Sequence, residues 1–448
     1  MLPSLAAPIA PIAHHDLLVF LLQVGLLLML AVGLGRLAMR FGMPAVVGEL
    51  FVGVILGPSF LAWAAPGLHT WLFPASPEQY HLLDAVGQIG VLLLVGLTGM
   101  HMDMSLVRRR GGTAAGVSIG GLVIPLGLGI AAGFLLPKAL IPEGTDTTVF
   151  ALFLGVAMCV SAIPVIAKTL MDMKLIHRNI GQLTLTAGML DDAFGWFMLS
   201  IVSAMAVNAV SAGTVFTSLA YLAAIIVFAL TIGRPIVRGA LRLTARSEEP
   251  GPTVATAAVL ILLASAGTHA LGLEAVFGAF VCGILIGTAG KVDPSRLAPL
   301  RTVVLSGFAP IFFATAGLRM DLTALVRPEV LLAGLAVLAI AIIGKFLGAY
   351  AGARLSRLNR WEALALGAGL NARGVIEVVV AMVGLRLGIL SVEAYTIVVL
   401  VAIVTSLMAP PILRMAMTRV EQTAEEEIRE NEQRAWTRQP AGGPEPIL

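Results

Sequence analysis

Residues 184–195 read Thr184-Leu185-Thr186-Ala187-Gly188-Met189-Leu190-Asp191-Asp192-Ala193-Phe194-Gly195. The stretch lies mid-way along an apolar run, 181–207. That run is long enough to cross a bilayer, which takes about 20 residues of helix. Each charged side chain at the bilayer centre costs roughly 2.5–3.5 kcal/mol on insertion scales. A chain that carries this cost twice in succession uses the two carboxylates. Adjacent residues point about 100° apart on a helix, so Asp191 and Asp192 need not share a partner. One can meet a fixed cation while the other faces a pathway.

The rest of the chain has the same character. It has 448 residues, 58% of them hydrophobic and 12% charged. The charged share is about half that of an ordinary soluble domain. Long runs with almost no charge exclude a soluble enzyme, a nucleic-acid binder and a disordered scaffold. Thirteen segments qualify as spans: 17–38, 45–64, 82–100, 112–136, 148–170, 181–207, 214–240, 253–270, 274–289, 299–318, 330–353, 363–385 and 394–417. The expected fold is an all-α polytopic membrane protein. No Lys or Arg precedes Arg36, so the first run reads as a membrane helix rather than a signal peptide. Cys159 and Cys282 lie in apolar runs and read as small core residues. No metal-ligand spacing and no nucleotide-binding glycine motif is present.

The net charge of +3 says little, but its distribution is informative. With the N-terminus outside, 17 Lys and Arg residues flank cytoplasmic loops, and only Lys138, Arg319, Arg327 and Arg386 lie outside. This follows the positive-inside rule. The stretch after Met417, rich in Glu, then reads as a cytoplasmic tail.

Spans 1–6 and 8–13 pair with an offset of seven, which inverts one half against the other, a common transporter design. Two paired spans are interrupted. Span 5 contains Cys159-Val160-Ser161-Ala162-Ile163-Pro164, and span 12 contains Gly367-Ala368-Gly369-Leu370-Asn371-Ala372-Arg373-Gly374. Pro164 removes an amide donor, and the glycines with Asn371 relax the other helix. Broken membrane helices line polar cavities, and their freed carbonyls can coordinate a cation. A proline kink with glycine packing is the simpler alternative.

Lys345 lies mid-span in Gly344-Lys345-Phe346-Leu347-Gly348 and is the natural fixed partner for the paired aspartates. Its flanking glycines permit a close helix approach. Arg373 and Glu377 are i,i+4 neighbours and read as a structural ion pair. Ser161 offers a hydroxyl at the first break. Glu49 and Asp84 read as structural. Lys168 reads as snorkelling or lining an inner funnel. His101 reads as an interfacial histidine, with a pH sensor as the alternative.

These residues resemble the monovalent cation:proton antiporters, specifically their second branch of bacterial sodium–proton and potassium–proton exchangers. The similarity runs through Pro44-Ala45-Val46-Val47-Gly48-Glu49-Leu50 with Leu56-Gly57-Pro58-Ser59, and through Ser161 to Ala167, where threonine is commoner than Ser161. It continues in Phe312 to Leu318 and in the Asn-x-Arg-Gly-x-x-Glu stretch ending at Glu377. The resemblance implies a homodimer in the plasma membrane, with 1–16 as an extracytoplasmic segment. It implies a dimer domain (17–102 and 253–318), a core domain (112–207 and 330–417), a linker helix (214–240) and a tail (418–448). It makes Asp192 the carboxylate that carries the transported Na⁺ or K⁺ or the proton, and pairs Asp191 with Lys345. Ser161 would bind the ion with the two aspartates, and Pro164, Asn371, Arg373 and Glu377 would support that site. Two acidic residues with this lysine imply electrogenic exchange. Gly99-Met100-His101-Met102-Asp103 departs from the commoner Gly-Leu-Glu-x-Asp and touches only the inner-side pH response. The expected partners are the bilayer and a second copy, with no cofactor beyond the transported ions and no nucleic acid. A sodium-coupled organic-anion symporter and a channel or sensor are the rival readings.

Overall fold

The computed structural model describes residues 12–74, 76–100, 104–207, 212–289, 294–428 and 430. Among them there are helices and turns and no strand. In chain order the helices are α1 (His14–Arg40), α2 (Ala45–Leu56), α3 (Leu61–Ala64), α4 (Pro66–Leu72), α5 (Pro77–Met100) and α6 (Met104–Leu135). Next come α7 (Thr147–Cys159), α8 (Ile163–Asp172), α9 (Asn179–Val207), α10 (Ala212–Phe228), α11 (Arg234–Thr244), α12 (Gly251–Ala270) and α13 (Ala275–Gly287). Then follow α14 (Ala298–Val303), α15 (Ala309–Leu318), α16 (Pro328–Leu355), α17 (Arg360–Leu370), α18 (Val375–Arg386) and α19 (Val392–Met417). Single π turns at Ala229–Gly233 and Val304–Phe308 join α10 to α11 and α14 to α15.

Ten described helices are long and apolar enough to span, or 11 with the bent pair α17–α18. The remaining expected crossings, 148–170 and 274–289, correspond to the pair α7–α8 and to α13. α7 and α13 have 13 residues each, about 20 Å at 1.5 Å per residue, short of a bilayer core. The fifth span is split by its break, and the ninth stops early.

Burial is inverted relative to a soluble protein. Helix α1 buries a single stripe (Val19, Gln23, Leu27, Ala31, Gly35, Ala38) and exposes apolar side chains such as Leu21 and Met29 on its other faces. In α12 the stripe is Thr253, Ala257, Ile261, Ser265 and Thr268. The buried stripes gather small and polar residues among a few large apolar ones, and the outward faces are apolar, as expected where the surrounding solvent is lipid.

The helices pack in two groups. In one, α6 lies along α16 and α7, with α9, α17, α18 and α19 completing the bundle. In the other, α1 packs on α2, α12 on α13, α2 on α15 and α13 on α5. Helices α10 and α11 run between them, touching α9 in the first bundle and α12 and α13 in the second.

The second bundle carries a repeat that the sequence reading left as a pairing of spans. Gly42, Gly48, Gly53 and Gly57 recur 230 positions later as Gly272, Gly278, Gly283 and Gly287. Gly42 and Gly272 turn the chain at φ 73° and 75°. A Cβ on Gly48 would lie 2.2 Å from the Leu34 carbonyl oxygen, and one on Gly278 would lie 2.4 Å from that of Ala264. The α1–α2 hairpin is therefore rebuilt as α12–α13. Gly48 and Gly278 let the two backbones of each hairpin touch, while Gly53 and Gly283 meet the backbones of α15 and α5.

One face of the molecule carries the start of α1 and the other the end of α19. On the N-terminal face Asp84 pairs with Arg319, and Arg327 with Glu393. On the tail face Arg178 bonds the Val420 carbonyl oxygen at 2.9 Å, and Arg360 and Arg419 both lie over the Trp361 ring.

Candidate functional site

Helix α7 stops at Cys159 because the next residues are extended: Val160 at φ −72°, ψ 149° and Ala162 at φ −130°, ψ 98°. Helix α8 then restarts with Pro164 in its first turn, where a missing amide costs nothing. The second break follows α17. Gly374 takes φ 152°, ψ −107°, a conformation that L side chains rarely adopt. A Cβ there would also lie 2.8 Å from Val165 Cγ2. The axes of α17 and α18 differ by 44°. The two breaks meet, the Ala162 amide donating to the Ala372 carbonyl oxygen at 3.1 Å.

A broken helix leaves its last carbonyls without amide partners. Here buried cations take them. Arg373 donates to the carbonyls of Ala157 (3.0 Å) and Met158, and to Ala341 of α16 (3.1 Å). Lys345 donates to the Cys159 carbonyl at 2.6 Å. A helix C-terminus carries partial negative charge, so both cations complement the end of α7. Arg373 also lies 3.3 Å from Glu377 Oε1, the i,i+4 pair seen in the sequence.

Asp191 and Asp192 are both fully buried on α9, and their surroundings differ completely. Asp191 Oδ2 accepts from Lys345 Nζ at 2.5 Å. Its Oδ1 accepts from Ser118 Oγ of α6 at 2.5 Å. Ser161 Oγ lies 2.9 Å from Asp191 Oδ2 and 2.9 Å from the Leu370 carbonyl oxygen. One hydroxyl proton serves only one of these acceptors at a time. Asp192, one residue on, has two buried oxygens with no hydrogen-bond partner among the described residues.

Lys345 reaches this point because α6 and α16 approach to backbone contact. A Cβ on Gly120 would lie 2.3 Å from the Gly348 carbonyl oxygen, and one on Gly348 would lie 2.2 Å from that of Gly120. Gly116 and Gly352 continue the seam. Ser118 sits between Gly116 and Gly120 and was not singled out in the sequence. The signal was available: glycines four apart in span 4 face glycines four apart in span 11, its repeat partner.

The structure therefore brings together Asp191, Asp192, Ser161, Lys345, Arg373 and Glu377. Asn371 follows the end of α17 with its side-chain oxygen buried and without a partner among the described residues, as is Glu377 Oε2. Pro164 and Lys168 belong to α8, whose side chains at those two positions lie outside the description. Glu49 is in α2 of the second bundle, beside Gly35 of α1, and Asp84 pairs with Arg319. His101 lies outside the described residues. Among the described residues no group of three His, Cys, Asp or Glu could hold a resident metal.

Comparison with known proteins extends the resemblance over nearly the whole chain. Residues 26–419 match the family described as sodium/hydrogen exchanger, transmembrane. The chain is similar to the Na⁺/H⁺ antiporter NhaS4 of Synechocystis, with 31% identity over 404 residues, covering 89% of this chain and 97% of that protein. It is 25% identical to the Na⁺/H⁺-K⁺ antiporter GerN of Bacillus cereus, over 88% of this chain and 95% of that one. The sodium proton antiporter MjNhaP1 of Methanocaldococcus jannaschii shares the fold, with a TM-score of 0.67 at 16% identity, covering 90% of this chain and 99% of that one.

Proposed function

The chain belongs to the sodium/hydrogen exchanger family and is a transmembrane cation:proton antiporter, and from that premise we propose that cation and proton compete for Asp192. The observation that carries this reading is the contrast between the neighbours. Asp191 is met by Lys345, Ser118 and Ser161, while neither oxygen of Asp192 has a side-chain partner among the described residues. A buried carboxylate without a partner is costly to keep charged. It is neutralised by a proton or by a metal cation, and occupancy by one excludes the other. That exclusion is the coupling of exchange.

Carboxylate, hydroxyl and backbone carbonyl oxygens suit a hard alkali cation. Na⁺ is the favoured substrate and K⁺ the second. Lys345 makes the exchange electrogenic: a cation drawing Asp191 away frees Lys345 to release a further proton. The first bundle acts as the core domain and the second as the dimer domain of a homodimer, with α10 and α11 as the linker. The exposed apolar faces of α1 and α12 are available to lipid and to a second copy.

In this reading the N-terminal face is outside the plasma membrane and the tail face is cytoplasmic, the side to which most basic residues belong. The bundles are tied together at the N-terminal face. Arg386 pairs with Glu274 at 2.9 Å, Tyr395 donates to the Ala316 carbonyl at 2.7 Å, and the Asp321 amide donates to Thr396 at 3.0 Å. These bonds support an inward-facing state that alternates with an outward-facing one.

The test is exchange in proteoliposomes, read as Na⁺- or K⁺-driven collapse of a pH gradient. Asp192→Asn is expected to abolish it for both cations. Full exchange by that variant overturns the assignment.

A further inference from the structure

Asp192 lies near the middle of α9, and the proposed outward route from it has no charged residue on that helix. It does have a polar stripe. Trp196, Ser200 and Ser203 follow Asp192 at intervals of four, four and three residues. At about 100° per residue all four fall within roughly 80° of one another on the helix face. At 1.5 Å per residue Ser203 stands roughly 16 Å beyond Asp192, towards the N-terminal face.

These three residues are buried and unsatisfied. Trp196 Nε1, Ser200 Oγ and Ser203 Oγ make no hydrogen bond among the described residues. Hydroxyls in membrane helices normally bond the carbonyl four residues back. Thr184 and Thr186, in the opposite half of the same helix, do so at 2.7 and 2.8 Å. The half of α9 towards the tail face is therefore internally satisfied, and the half towards the N-terminal face is not.

At Trp196 the stripe meets the other bundle. The Trp196 ring packs on Phe280 of α13, with centroids 6.3 Å apart, and both side chains are buried. Trp196 thus stands between Asp192 and the two serines, wedged into the seam that must part when the bundles move.

We propose that Ser200 and Ser203 line the half-pathway between Asp192 and the N-terminal face, and that Trp196 against Phe280 is the gate that shuts it. The proposal rests on the alternating-access reading above. When the seam opens, the indole N–H and the two hydroxyls offer polar steps about one turn apart to a hydrated cation or a water file. When it closes, the aromatic pair fills the seam and the polar groups are left dry.

The experiment is cysteine labelling in a Cys159→Ala, Cys282→Ala background. Ser200→Cys and Ser203→Cys are each exposed to a membrane-impermeant charged thiol reagent, in intact cells and in inverted vesicles. Labelling is expected from the N-terminal face alone, and faster while a Na⁺ gradient drives exchange. Trp196→Ala is expected to raise labelling of Ser203→Cys at rest by about tenfold, as a shift in gate population would. Trp196→Phe should restore the slow rate. Protection of both cysteines from both sides during running exchange would overturn the proposal, as would labelling from the tail face. Asp192→Asn is assayed alongside. If that variant is inactive and the cysteines stay unlabelled, the pathway fails while the assignment of Asp192 stands. If it exchanges fully, the assignment fails, and one-sided labelling still reports the pathway.

Discussion

Lys345 Nζ lies 2.5 Å from Asp191 Oδ2 and 2.6 Å from the Cys159 carbonyl oxygen, with the lysine and the aspartate fully buried. One ammonium group thus neutralises a carboxylate on α9 and ends the broken helix α7. Structure and charge compensation depend on the same side chain.

Removing that side chain is expected to be severe. Lys345→Ala leaves a buried charge unpaired, a change that costs about 3–5 kcal/mol. Thermal unfolding in detergent should show it as a large fall in Tm. Lys345→Gln can still donate to both oxygens. Its exchange is expected to survive with a weaker response to membrane potential. An unchanged potential response in proteoliposomes would show that Lys345 carries no proton.

Ser118→Ala removes the donor to Asp191 Oδ1 but leaves Lys345 in place. A hydrogen bond to a charged group contributes about 1.5–3 kcal/mol, so the variant should be less stable but folded. Exchange should continue, because Asp192 is untouched. Wild-type stability would mean that a water or another side chain replaces the serine.

The seam between α6 and α16 has no slack. Gly120→Ala or Gly348→Ala places a Cβ within 2.3 Å of a backbone oxygen across the seam. Neither backbone can yield without moving Lys345 or Ser118 from Asp191. The expected outcome is loss of folded protein, read by size-exclusion chromatography, whereas Gly127→Ala has open space around its Cβ and serves as the control.

A tail clasp should respond to pH. Glu426 accepts from the Asn179 amide at 2.5 Å and the Thr423 amide at 2.8 Å, and lies 3.2 Å from Arg178 Nε. Burial pushes its carboxyl up, but the Thr423 and Asn179 amides and Arg178 outweigh it and hold it below the usual carboxylate range. A group depressed in the folded state stabilises above its unfolded value and loses that contribution as pH falls through the folded one. Protection of the 420–428 amides, taken relative to their intrinsic exchange rates at each pH, should therefore be high at neutral pH and fall on acidification. Glu426→Gln should show low protection at neutral pH, nearly constant across that range. A pH profile identical to wild type would exclude Glu426 as the group that titrates.

The tie at the N-terminal face should restrain motion. Glu274→Cys with Arg386→Cys, bridged by a bifunctional thiol reagent in a background with the native cysteines replaced, is expected to arrest exchange. Monofunctional labelling of the same pair should not arrest it. Full exchange in the bridged protein would mean that the bundles do not separate at that edge.

The amino-acid sequence determined that this chain is helical and lives in a bilayer, and it marked two interrupted spans and three charges, Asp191, Asp192 and Lys345, that a bilayer interior would otherwise exclude. All of that follows from the cost of placing charge or an unmade hydrogen bond in hydrocarbon, which acts residue by residue. The roles of the two aspartates came from family resemblance, because nothing local separates neighbours on one helix. The tertiary structure separates their surroundings. Asp191 meets Ser118 from α6, Ser161 from the break after α7, and Lys345 from α16, segments 30 to 154 residues away in the chain. It also decided that Arg373 caps the carbonyls of α7 as well as pairing with Glu377. Ser118 was legible only through the glycine spacing around it, and the stripe at Trp196, Ser200 and Ser203 was silent in the sequence for the same reason. A hydroxyl or an indole in an apolar helix is unremarked until its neighbours show whether it has a partner.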